Sequence, residues 1–483
     1  MALGSDFLWG FATASYQIEG AVDQDGRGPS TWDTFCNKAG NIADGTSGDV
    51  ACDSYNRTAD DVALLKSLGA TAYRFSVSWT RVVPLGGRHD PVNQPGLDHY
   101  ARFVDALLDA AITPFVTLSH WDVPEELDRR YGGPLDGAEF PLDFERYARL
   151  VFAALPRVRH WVTFNEPWCS AVMGYGTGQF APGRCSDRGR SPEGDGSTEP
   201  WIVGHSLLVA HGRAVRAYRD DYAPAVEAGG VPGLIGIVLN GDAVFPWDAA
   251  DAADVEACQR KLEFVVAWFA DPIYHGDYPA SMRRQLGARL PTFTADELAL
   301  VRGSSDFYGM NHYTANYIRH RDAAAVPDPL DHAGHVDVLF DNRRGHRIGP
   351  ETQCPWLRPC APGFRDLLVW ISRRYRRPPI YVTENGTSVK GESDMPRAQA
   401  LADDFRVRYY AAYVAAMADA VRLDGVDVRG YFAWSLLDNF EWAEGYQTRF
   451  GVCYVDYDDG QKRYPKRSAR SLKPLFDSLI RRQ

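Results

Sequence analysis

Eight short β-prone runs, most of them separated by helix-forming stretches, constrain the fold of this chain more than any other feature. They are Phe7–Ala12, Ala72–Val77, Thr113–Leu118, His160–Phe164, Leu234–Leu239, Phe307–Met310, Ile380–Val382 and Tyr431–Trp434. Patterns with a 3.6-residue period lie between most of them: Ala59–Leu68, Leu97–Ala111, Phe144–Leu155, Ile202–Tyr218, Ala295–Val301, Gly363–Tyr375 and Asp403–Ala420. Strands alternating with helices predict βαβ units and a parallel sheet. Eight such units predict an α/β fold, a (β/α)8 barrel. Barrels of this kind run near ~250 residues and pass ~400 when their βα-loops are long. The 483 residues therefore read as one decorated barrel spanning 1–483, not the roughly three domains that length alone suggests. Cys185–Pro200 reads as a surface loop and Arg319–Cys360 as irregular, and neither looks like a domain boundary.

Charge and motifs narrow the function. A net charge of −11 is a poor electrostatic footprint for nucleic acid, and it disfavours an anionic membrane surface as the main partner. No segment approaches the ~20 apolar residues of a membrane span; the longest apolar stretch of note, Leu262–Ala270, is broken by Glu263. MALGSDFLWGF lacks the basic and apolar regions of a secretory signal, so a cytoplasmic location with reduced thiols is expected. The eight cysteines form no C-x-x-C pair; Cys354 and Cys360 are close enough in sequence to be checked for a bridge. His205 and His211 are six apart on one expected helix, not the i, i+4 spacing of a helical metal pair, and read as packing or surface residues. No P-loop, G-x-G-x-x-G turn or G-x-S-x-G elbow occurs, so neither metal nor cofactor is expected. The sequons Asn56-Arg-Thr58 and Asn385-Gly-Thr387 read as incidental, and Arg373–Arg377 as a solvated helix end.

Several strand runs end in chemistry-bearing groups. Trp79 follows the second run, His120 and Trp121 the third, and Asn165 and Glu166 the fourth. Asn240 follows the fifth, Asn311, His312 and Tyr313 the sixth, and Glu384 and Asn385 the seventh. A parallel barrel gathers all strand C-termini at one mouth, where barrel chemistry occurs. Two segments, Thr163–Trp168 (TFNEPW) and Tyr381–Gly386 (YVTENG), each put a Glu just past an apolar strand. Glycosidic bond cleavage needs two such carboxyls, one to protonate the leaving oxygen and one to attack the anomeric carbon or activate water. Glu suits both tasks because burial and neighbouring charge move its pKa by several units.

At these residues the chain resembles glycoside hydrolase family 1, the β-glucosidase family, essentially end to end. Phe7–Ala21 (FLWGFATASYQIEGA) resembles the family's N-terminal signature, and Tyr73–Trp79 its second barrel strand. His120-Trp121, Thr163–Trp168, Asn311–Thr314, Thr383–Gly386 and Ala433–Trp442 resemble the later motifs in order. The resemblance implies a retaining enzyme, with Glu166 as acid and then base, Glu384 as nucleophile, and the carboxyls about 5–5.5 Å apart. It implies that Arg74 and Tyr313 contact the nucleophile; a guanidinium and a phenol there would keep Glu384 ionised. It assigns Asn165 to the sugar 2-OH, Gln17, His120 and Glu441 to the other hydroxyls, and Trp434 and Trp442 to the floor and wall, with Trp121 beside them. The acidic residue at Glu441 implies a non-phosphorylated glycone, and the presence of Glu166 implies O-glycosides. Trp168, Met173, Asn240 and Trp356 are candidates for the aglycone side.

The expectation is a β-glucosidase acting on cellobiose, cello-oligosaccharides and aryl β-glucosides, with small-molecule glucosides as partners. A β-galactosidase, β-fucosidase or transglycosylase of the same family is the alternative, and a sugar-binding barrel without catalysis a distant one. The 13 Trp, 24 Tyr and 23 Phe then divide: most are expected in the core, while Trp121, Trp168, Trp434, Trp442 and Tyr313 offer flat faces to a pyranose ring.

Overall fold

The computed structural model describes residues 3–223, 233–322 and 328–481. Thirteen strands occur among them: β1 (Leu8–Ala12), β2 (Ala72–Ser76), β3 (Thr113–Ser119), β4 (His160–Asn165), β5 (Leu234–Asn240), β6 (Ala243–Pro246), β7 (Tyr308–His312), β8 (Ala315–His320), β9 (Val336–Leu339), β10 (Ile380–Asn385), β11 (Val428–Trp434), β12 (Cys453–Asp456) and β13 (Lys462–Pro465). Eight of these, in the order β1-β11-β10-β7-β5-β4-β3-β2, close into a barrel. Every barrel pairing is parallel, and each of the eight strand runs read from sequence supplies one barrel strand. Such strands are covered on both faces, which is why they read as continuous apolar runs.

The interior is filled by side chains. Phe115 packs against His160, Phe307, Tyr381 and Phe432 with ring centroids 5.1–5.5 Å apart. The four buried rings Phe115, Phe307, Tyr381 and Phe432, with Ala12, Ala72, Val162 and Val238, form a buried cluster inside the ring of strands. A larger cluster lies between the barrel and its helices, with Leu65, Leu107, Phe144, Trp161, Leu208, Ile371, Tyr410 and Phe476 among its members. Gly10 shows how close the strands come: a Cβ there would lie 1.7 Å from the Ala72 carbonyl oxygen.

Two irregularities in the strand pairing position the site. Between Val162 and Asn165, β4 carries one residue more than its partner β5. Between Val382 and Glu384, β10 carries one more than β7, and a matching shift separates β10 from β11. Bulges of this kind re-aim side chains and end pairing, and here each sits next to one of the two glutamates.

The structure adds elements the sequence reading did not contain. β6, β8 and β9 form a separate sheet, so part of the stretch read as irregular, Arg319–Cys360, is strand. β12 and β13 form an antiparallel hairpin. The apolar stretch around Leu262–Ala270 lies in a helical run, Ala252–Leu262 followed by Glu263–Ala267 and Trp268–Tyr274. Its Phe264, Val266, Ala267, Trp268 and Ala270 are fully buried, and a helix apolar on all sides gives no amphipathic signal. No helix among the described residues is long and apolar enough to cross a membrane. Cys354 and Cys360 are not bridged; all eight cysteines are free thiols.

Candidate active site

At the C-terminal ends of the barrel strands lies a pocket of about 520 Å³. Glu166 and Glu384 both line it, one past the end of β4 and the other on β10. They are 6% and 3% exposed, and their surroundings differ.

Glu384 is held by donors on both oxygens. Arg74 Nη1 donates to Oε1 at 2.6 Å, and the Tyr313 hydroxyl donates to Oε2 at 2.5 Å. Arg74 is itself fixed: Nε donates to Thr117 Oγ1, Nη1 also to the Thr383 carbonyl, and Nη2 to Asn165 Oδ1 at 2.6 Å. Glu166 takes weaker support, from Asn311 Nδ2 at 2.7 Å and the Cys169 thiol at 3.1 Å. Burial, reinforced by the Glu384 charge, pushes the Glu166 carboxyl up to about 8. Burial raises Glu384 as well, and Arg74, Tyr313 and Asn311 act against it. The two carboxyls share one buried space, so a single negative charge is favoured over two. Arg74 and Tyr313 put that charge on Glu384 and leave the proton on Glu166. A neutral acid and an anionic carboxylate facing one pocket can protonate a leaving oxygen while attacking the carbon it leaves.

Asn311 connects the pair. Its amide lies against both carboxylates and also reaches Asn165 Oδ1 at 3.1 Å. The Thr383 hydroxyl donates to Asn311 Oδ1 at 2.7 Å and so aims the NH2 group at Glu166. Asn311 belongs to the Asn311–Thr314 motif, and its sequence position alone assigns it no role.

The remaining sequence candidates gather around the same space. His120, Trp121, Trp434, Glu441 and Trp442 line the pocket. Asn165 Nδ2 donates to His120 Nε2 at 2.9 Å, which assigns the imidazole proton to Nδ1. Burial and the nearby Arg74 keep that imidazole neutral. The His120 ring lies within 22° and 18° of parallel to Trp434 and Trp442, and Trp121 donates to the Asn165 carbonyl at 2.9 Å. Gln17 Nε2 donates to Asn439 Oδ1 and the Phe440 carbonyl, which turns Oε1 away from the loop. Gln17 Oε1, His120 Nδ1 and Glu441 Oε2 are buried without a partner among the described residues. A polyhydroxylated ligand would satisfy such atoms. Burial, with the charges of Glu444, Glu384 and Glu166, holds the Glu441 carboxyl well above the usual range.

Trp168, Met173, Asn240 and Trp356 also line the pocket; Trp356 is 45% exposed and meets Tyr313 edge-on at 5.9 Å. Lining residues beyond the sequence reading include Phe180, Asp242 and Glu444. Asp242 follows the end of β5 and Glu444 the Ala433–Trp442 motif, so both sit next to segments that the sequence marks, whereas Phe180 lies in a loop with no such signal. The two discounted histidines are packing groups: His211 pairs with Thr163 Oγ1 at 2.7 Å and His205 with the Tyr278 hydroxyl at 2.9 Å. Among the described residues no group of three or more His, Cys, Asp or Glu is arranged to hold a metal ion.

A closed parallel barrel with two glutamates at the ends of its fourth and seventh strands defines a class of glycoside-cleaving enzymes. The chain belongs to glycosyl hydrolase family 1, whose sequence model matches residues 1–479. It is 55% identical over 479 residues to Beta-glucosidase 1B of Phanerodontia chrysosporium, covering 99% of this chain and 86% of the relative. A GH1 β-glucosidase from the fungus Humicola insolens, solved in complex with glucose, is 66% identical and superposes with a TM-score of 0.98 over 100% of both chains. A rice β-glucosidase mutant in a covalent complex with glucose is 42% identical with a TM-score of 0.94, covering 100% of this chain and 99% of that one.

Proposed function

We propose that the protein is a retaining β-glucosidase that removes terminal non-reducing β-glucosyl residues from cellobiose, cello-oligosaccharides and aryl β-glucosides. The observation that carries this reading is the asymmetry of the two carboxyls, one doubly held by Arg74 and Tyr313, the other raised to about 8. In the first step Glu384 attacks the anomeric carbon while Glu166 gives its proton to the departing oxygen. The bond from that carbon to the leaving group breaks and an ester to Glu384 forms. In the second step Glu166, now a carboxylate, takes a proton from water, and the water oxygen attacks the anomeric carbon and expels Glu384. Two inversions retain the β configuration.

Asn165 has a second amide hydrogen beyond the one given to His120, and is assigned to the sugar 2-OH. Gln17, His120 and Glu441 hold the other hydroxyls, and Trp434 and Trp442 supply the apolar faces for the ring. Trp168, Met173, Asn240 and Trp356 form the aglycone side.

The test is Glu384→Gly. Hydrolysis of an aryl β-glucoside should fall at least ~10⁴-fold, roughly 5 kcal/mol of barrier. In the wild-type enzyme, a 2-deoxy-2-fluoro-β-glucoside with a good leaving group should leave a stable adduct on the peptide containing Glu384. Near-normal turnover by the variant would remove Glu384 from the mechanism. Relative kcat/KM on aryl glucoside, galactoside and fucoside would fix the glycone preference.

A further inference from the structure

Beneath the loops that follow β10 and β11 lies a group of six buried charges. Lys466, which directly follows β13, donates from Nζ to Glu392 Oε1 at 2.6 Å and to Asp438 Oδ1 at 2.8 Å. Arg406 reaches Glu392 and Asp403, each at 2.7 Å, and Arg449 reaches Asp438 at 2.7 Å. The side chains of all six are between 0 and 9% exposed. Three carboxylates face three cations, so the group is neutral as a whole. Buried ion pairs of this kind are poor sources of stability, because desolvation offsets their attraction.

Their placement gives them another use. Glu392 belongs to the loop after β10, the strand that carries Glu384, and Arg406 Nε also donates to the carbonyl of Thr387 in that loop. Asp438 lies between Trp434 at the end of β11 and Glu441. Its neighbours Asn439 and Phe440 accept the two hydrogen bonds from Gln17 Nε2. The Lys466 ammonium thus touches both loops, although it does not line the pocket.

We propose that Lys466 is a positioning residue for the glycone side of the pocket, fixing the loop of Gln17's partners and Glu441 through its ion pair with Asp438. The proposal rests on the assignment of Gln17 and Glu441 to glycone hydroxyls.

The test uses Lys466→Met and the isosteric Asp438→Asn in the full chain, with Asp271→Asn as a control that weakens the Arg374–Asp271 pair outside this loop system. Active sites are counted by the burst of leaving group released by the fluoroglucoside, so that misfolded protein is excluded. Per active site, Lys466→Met should raise KM for an aryl β-glucoside five- to twentyfold, with kcat changed less than about threefold. Gln17 and Glu441 are the residues assigned to the 4-OH, so this variant's preference for glucoside over the 4-deoxyglucoside should fall by at least fivefold. Asp438→Asn should move the same quantities in the same direction even if Lys466→Met folds poorly. Asp271→Asn should lower the melting temperature and leave both quantities unchanged. Unchanged KM and unchanged 4-deoxy discrimination in the Lys466 and Asp438 variants, with only a lower melting temperature, would overturn the proposal. Failure of the wild-type enzyme to label at Glu384 would instead overturn the glycosidase mechanism, and the two failures are distinguishable.

Discussion

Two residues of one type sit in opposite electrostatic settings here because their neighbours differ. Glu166 has a positive φ of 44°, a conformation that costs a non-glycine residue energy and is tolerated where surrounding contacts over-determine it. Its backbone N–H donates to the Val238 carbonyl at 2.9 Å, so the bulged end of β4 is tied to β5 and the side chain is set. With its carboxyl raised to about 8, Glu166 stays protonated through neutral pH and loses its proton as the pH rises past that value. The alkaline limb of kcat/KM should therefore fall near pH 8, reported as a property of the coupled pair. Asn311→Ala removes a donor that favours the charged form of Glu166, so that limb should move to higher pH while overall activity drops; a limb that stays put would show that Asn311 does not act on the acid. Glu166→Ala should keep some activity on aryl glucosides with good leaving groups, which need little protonation. Added azide should raise that activity and yield β-glucosyl azide, the product that checks it.

At the level of elements, the eight barrel strands were legible because a strand buried on both faces must be apolar throughout. The glutamates were legible because each follows such a run. The bulges at β4 and β10 were not, since an extra residue in a strand has no composition of its own. The role of Asn311 was hidden for a similar reason: a hydroxyl from a neighbouring strand, that of Thr383, decides which way its amide points. The sheet of β6, β8 and β9 escaped because its strands are short and partly exposed among Pro, Gly and Asp. The possible Cys354–Cys360 bridge came from spacing alone; in the fold Cys354 turns its thiol towards Glu444 Oε2 instead, at 3.6 Å. Close approach between elements gives a sharper test. A Cβ on Gly386 would lie 1.9 Å from the Trp434 carbonyl oxygen, where the ends of β10 and β11 meet. Gly386→Ala must push these strand ends apart, and with them Glu384 and Trp434. The expected result is a loss of activity of at least tenfold together with a lower melting temperature; an active, equally stable variant would mean that the two ends yield freely.

For the whole molecule, a barrel requires the first strand to find the last. β1 pairs with β11 from Leu8↔Gly430 to Ala12↔Trp434, across more than 400 residues of chain, so closure carries a large loop-ordering cost and few local contacts to offset it. The C-terminal helix Arg467–Leu479 closes the seam from outside. Its Phe476 is fully buried, stacked on Trp9 at 5.1 Å and on Phe7 at 6.0 Å, and it meets Tyr431 at 5.6 Å. One aromatic side chain therefore touches both strands of the seam. The first and last described residues meet beside it: Leu3 N–H donates to the Leu479 carbonyl, and Arg481 N–H donates to the Leu3 carbonyl. Removing a buried phenylalanine leaves a cavity that rigid strands cannot fill. Phe476→Ala should cost about 3–5 kcal/mol, read as a lower denaturation midpoint and as faster proteolysis at the two termini. The pocket lies at the opposite, C-terminal ends of the strands, so KM for an aryl glucoside at 25 °C should be unchanged in the folded fraction. A raised KM at full occupancy of the folded state would mean that the seam and the pocket are coupled through β1 and β11.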